Sequence, residues 1–67
     1  MYPNLRAEMA RNRFTLAELA KEMGTNQSTL SLKMSGKRYF TLPEALLIKN
    51  LLGVDLSIEE LFQREEG

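Results

Sequence analysis

Gln27, Ser28, Ser31 and Leu32 place an amide, two hydroxyls and a branched alkyl group close together in the chain, at spacings that gather them over the first turns of a helix. These groups donate hydrogen bonds, accept them or touch methyls, and none carries charge. Such a face does little for solubility. It suits the floor of a DNA groove, which offers donors, acceptors and thymine methyls rather than charge. Lys33, Lys37, Arg38 and Tyr39 come next, three cations and one aromatic whose natural counterpart is phosphate. Catalytic groups are scarce. The chain contains no Cys and no His, so it offers no thiolate, no imidazole base, no zinc finger and no disulfide framework. Gly36-Lys37 lacks the upstream glycine of a phosphate-binding loop, and the paired acids Glu59/Glu60 and Glu65/Glu66 diverge on a helix instead of converging on a substrate. These features predict a protein that is not an enzyme and that uses no metal, cofactor or small-molecule substrate.

The elements that must hold these groups read as five helices and no strand. The first runs from Pro3, which suits an opening turn, to Arg13, with Leu5 and Met9 one turn apart. Thr15 and Glu18 make a capping box for the second, with Phe14 placed to staple onto Leu19. Leu16, Leu19, Ala20 and Met23 supply its apolar face, and Gly24 ends it. Asn26 is the expected N-cap of the third helix, which runs from Gln27 to about Ser35 with Gly36 as its stop. Its Leu30 and Met34 face the core. The stretch from Thr15 to Lys37 therefore reads as two short helices hinged at one glycine, the layout of a helix-turn-helix. A second box, Thr41 with Glu44, opens a fourth helix with Pro43 still in its first turn. Leu42, Ala45, Leu46, Leu47, Ile48, Leu51 and Leu52 wrap most of that helix, so burial on more than one side is expected, and Gly53 closes it. A third box, Ser57 with Glu60, begins the fifth helix, where Leu56 can staple onto Leu61.

The chain has 67 residues and a formal net charge of zero, the size of one domain near the lower limit for a core without staples. The charge is unevenly spread. Residues 1–40 carry seven basic and three acidic side chains, and residues 41–67 carry two basic and six acidic ones. A positive end can meet phosphates while the negative end points away. The longest apolar run, Ala45 to Ile48, is far too short for a bilayer, and Met1-Tyr2-Pro3-Asn4 begins no signal peptide. A cytoplasmic, reducing compartment is expected. The core is read as residues 4–62 and residues 63–67 as a frayed tail.

Several pieces in order give a specific resemblance: Glu18-Leu19-Ala20, Gly24, Ser28-Thr29-Leu30, Gly36-Lys37, Leu52-Gly53-Val54 and Glu60-Leu61-Phe62. Together the stretch from Asn4 to Phe62 resembles the Cro/repressor-type helix-turn-helix family of phage and bacterial regulators. The resemblance implies an all-α, five-helix lambda-repressor-like domain that binds a double-stranded DNA operator, often as a homodimer on near-palindromic sites. It implies base reading by Gln27, Ser28, Ser31 and Leu32, the glutamine bidentate to adenine and the leucine against a thymine methyl. Lys33, Lys37, Arg38 and Tyr39 fall where that family's chain passes along the sugar-phosphate backbone. Thr15 and Thr41 stand at helix starts whose dipoles favour phosphate, and both also serve as caps. The chain departs from many relatives at Leu16, where they carry a phosphate-anchoring Gln, and at Arg13, where they carry Gly. Without that glycine, Asn12 is expected to close the first helix in the left-handed conformation. Ala20 is small because the second and third helices must approach closely.

Dimer contacts would have to come from Leu47, Leu51, Val54, Leu56 and Ile58, most of which are expected in the core. The second reading is a protein-binding module, an antitoxin or antirepressor that uses the same fold and contacts its partner through the acidic half.

Overall fold

Four of the five helices begin at a side chain that caps them, and the first opens on Pro3 without one. The computed structural model describes residues 1–65, which form five helices and no strand: α1 (Pro3–Arg11), α2 (Leu16–Met23), α3 (Gln27–Met34), α4 (Leu42–Leu52) and α5 (Ile58–Leu61). All three capping boxes form, with the Thr15, Thr41 and Ser57 hydroxyls accepting from the backbone N–H of Glu18, Glu44 and Glu60 and the glutamates bonding back. The reciprocal bonds satisfy donors that a helix start leaves open.

Helix ends follow a similar rule. Gly24 adopts φ 72°, with Thr25 N–H on the Ala20 carbonyl at 3.0 Å and Gly24 N–H on that of Lys21 at 3.2 Å. That pair of bonds requires a left-handed residue, which glycine supplies without strain. α1 closes in the same manner but on an arginine. Arg13 has φ 59° while Asn12 stays at φ −95°, so the expectation of a left-handed Asn12 is corrected, and the helix stops at Arg11 rather than Arg13. Arg13 N–H bonds to Ala10 at 3.1 Å and Phe14 N–H to Met9 at 2.9 Å. The bonding register selects residue 13 for the turn, and it returns Phe14 to the core.

Leu5, Leu19, Leu30, Ile48 and Leu61 have no exposed surface, one from each helix. Tyr2, Met9, Ala20, Met34 and Leu52 complete this cluster, and Phe14, Leu16, Leu51, Val54 and Leu56 pack against it from outside. α2 packs on α3 and α4, while α5 packs on α1 and α4. Ala20, only 2% exposed, fits the expected close approach of α2.

α4 is buried on one side alone, against the expectation. Ala45, Ile48 and Leu52 face inward, whereas Leu42, Leu46 and Leu47 are 63%, 47% and 38% exposed. Ala45, Ile48 and Leu52 share one stripe of the 3.6-residue period, and the neighbouring helices cover only that stripe. Of the expected dimer contacts, Leu51, Val54 and Leu56 join the edge of the core and Ile58 is half-buried.

Two features have no counterpart in the sequence reading. Tyr2, Phe40 and Phe62 meet edge to face, with centroids 5.1 to 6.0 Å apart. Arg64, expected in the frayed tail, donates through Nε to Met1 Sδ at 2.9 Å and lies 5.7 Å from the Tyr39 ring centre; the tail's Glu66 and Gly67 lie outside the described residues. Glu8 is 7% exposed, with one carboxylate oxygen 3.1 Å from Arg11 Nη1.

Leu61→Ala should cost about 2–5 kcal/mol through lost burial and an unfilled cavity. Thr15→Ala should cost about 1 kcal/mol through one lost cap. Urea unfolding followed by circular dichroism measures both, and equal losses for the two variants would contradict the core described above.

Candidate nucleic-acid interface

α3 is oriented by what it buries. Leu30 and Met34 point into the core at 0% and 2% exposure, and at about 100° per residue this turns positions 28, 31, 32 and 35 away from it. Gln27, Ser28 and Ser31 are exposed and Leu32 is half-buried. Asn26 fixes the start of this face: its Oδ1 accepts the Thr29 N–H at 2.7 Å and the Ser28 hydroxyl at 3.2 Å. Ser35 extends the same arc and went unremarked in the sequence reading, although it stands four residues after Ser31. It is exposed, and its hydroxyl donates to the Leu32 carbonyl at 3.1 Å.

Gly36, at φ 85°, turns the chain out of α3. The N–H groups of Lys37 and Arg38 both bond to the Leu32 carbonyl, at 3.0 and 3.3 Å, which anchors the backbone of this loop against the helix while both side chains stay exposed. Tyr39 is 77% exposed. These three residues project beside the end of the polar face.

Lys33 does not join them. Its ammonium donates to Glu44 Oε2 at the start of α4, and its side chain is only 16% exposed. Lys33, expected among the phosphate contacts, is instead turned by α3 toward α4 in this structure, where the Glu44 carboxylate takes its charge. Thr15 and Thr41 are exposed residues whose hydroxyls accept from Glu18 N–H at 3.1 Å and Glu44 N–H at 3.3 Å. Both act as caps.

Leu16 lines a groove of about 320 Å³ with Arg6, Met9, Phe14, Ser31 and Met34. An alkyl group there continues an apolar wall, which accounts for a leucine at a position where Gln would reach outward. Arg6 donates to the Met34 carbonyl at 3.4 Å and to that of Met1 at 3.1 Å, tying α1 to the last turn of α3. An arginine on the first helix gave no sequence signal for that task, because its partner lies 28 residues away.

Glu44 is the most heavily used carboxylate of the region. Oε1 accepts the Thr41 N–H at 2.8 Å and the Thr41 hydroxyl at 3.1 Å, while Oε2 takes Lys33. Burial pushes its carboxyl up, and the bond from Lys33, the two from Thr41 and the lysine's charge outweigh that effect, so it ionises below the ordinary value of 4.5. The chain matches no protein-family model, no curated protein and no solved structure.

A carboxyl whose pKa is depressed by folding stabilises the fold fully above its unfolded value, and that contribution is lost as pH falls through the folded value. The stability difference between the native protein and Glu44→Gln should therefore be largest above pH 4.5 and shrink below it. Urea titrations across that range measure it. A difference independent of pH would show that the charge of Glu44 contributes nothing.

Proposed function

We propose that this protein is a sequence-specific, double-stranded DNA-binding regulator of transcription, similar to Cro/repressor-type switch proteins, acting in the cytoplasm without catalysis or cofactor. In this reading α2 and α3 are a helix-turn-helix, and α3 enters the major groove. One observation carries it: α3 buries Leu30 and Met34 and leaves Gln27, Ser28 and Ser31 outward, with Lys37 and Arg38 exposed at its end. Gln27 pairs with adenine, Ser28 and Ser31 bond base edges or phosphate, and Leu32 covers a thymine methyl. Lys37, Arg38 and Tyr39 hold the sugar-phosphate backbone, with Thr15 and Thr41 at the two helix starts.

A second copy completes the assembly. Leu42 and Leu46 present apolar surface soon after the cations Lys37 and Arg38, and in this reading two copies join there. The same surface is what favours the alternative of an antitoxin or antirepressor, which would cover a partner protein with it. Salt separates the two readings, since binding through phosphates weakens steeply as salt rises.

Selection of bound duplexes from a random pool should return a near-palindromic preferred site. On that site Gln27→Ala should cost about 1–3 kcal/mol and relax preference at one base pair, while Lys37→Ala should weaken all duplexes alike and lower the salt slope by about one. Absence of any duplex affinity at low salt would reject this function in favour of the protein-binding module.

A further inference from the structure

Glu44 serves two partners, and only one of them needs its charge. A capping box asks the residue at the third helical position for an acceptor oxygen, which Gln supplies as well as Glu. Glu44 Oε1 meets that need through Thr41. Its other oxygen holds the Lys33 ammonium, and the two side chains are 16% and 25% exposed. The pair thus joins the C-terminal half of α3 to the first turn of α4, beside the loop that carries Lys37 and Arg38.

We infer that Glu44 is a built-in electrostatic brake on the interface, holding Lys33 away from the duplex and keeping a fixed negative charge beside the backbone-binding loop. The inference rests on the DNA-binding reading and names how that same surface is restrained. A half-buried ammonium without a counter-charge is costly, and the flexible four-carbon stem of lysine lets its head move to solvent while the methylenes stay packed. Once released, the head of Lys33, carried by the last turn of α3 just ahead of the loop with Lys37 and Arg38, is free to neutralise one further phosphate. Loss of the Glu44 charge also removes repulsion of the backbone. Both effects are independent of sequence, so the brake acts on every duplex alike.

The experiment measures binding of a mixed-sequence duplex, two helical turns long, over a range of salt for the native protein, Glu44→Gln, Lys33→Met and the double variant, each checked for native helicity. Glu44→Gln retains the capping box and should bind on the order of tenfold tighter at ~0.05 M salt, with a salt slope steeper by about one, because one phosphate contact contributes about 0.9 to the slope. Lys33→Met alone should leave the native slope unchanged, and in the Glu44→Gln background it should return the slope to the native value. If Lys33→Met folds poorly, Lys33→Gln replaces it in both backgrounds. Duplex binding by the native protein with an unchanged slope in Glu44→Gln overturns the brake and leaves the DNA reading standing. A slope lowered by Lys33→Met alone does the same, since it means that Lys33 already contacts phosphate. Failure of every variant to bind DNA overturns both.

Discussion

Five side chains, one from each helix, meet where no water reaches, and the orientation of every outward-facing group follows from that meeting. Helices of four to eleven residues do not persist alone in water, so each is held by its buried leucine or isoleucine and by its ends. The roll of α3 is one result. With Leu30 committed inward, the amide and hydroxyl groups of the same helix have no freedom to turn away from solvent. The short α5 is another, since Leu61 secures it against α1 and α4 with little help from its length.

Electrostatics complete what packing begins. The basic and acidic portions of the chain are joined directly by the bond from Lys33 to Glu44, which braces α3 where it leaves the core. Arg6 braces the same helix from the other side by capping the Met34 carbonyl. α3 is thereby fixed at its start by Asn26, along its length by two apolar contacts, and at its end by two long cationic side chains.

Much of this architecture was legible in the sequence because it is local. Capping boxes span four residues, and the positive φ angles of Gly24, Gly36 and Gly53 stand where a glycine follows an apolar helical face. The burial of Leu30 and Met34 follows from their spacing. What escaped was set by distant partners. Whether Asn12 or Arg13 turns left-handed depends on where Phe14 must land. How much of α4 is covered depends on how many neighbours a small domain can place around it, so its apolar circumference overstated its burial. Lys33 read as one of the exposed cations because its carboxylate lies eleven residues further on, and nothing local marks Glu8 as the acid that the fold encloses.

The ring contacts among Tyr2, Phe40 and Phe62 link the second residue of the chain to one sixty positions later. Contacts of such wide sequence separation form late and slow the search for the native state. On the ribosome, α1 to α4 can emerge and take up helical turns, and Tyr2 can meet Phe40, yet the third ring joins them only when Phe62 has also left the exit tunnel. The aromatic junction between the chain's first residues and the stretch after α5 therefore closes only when synthesis has passed the fifth helix.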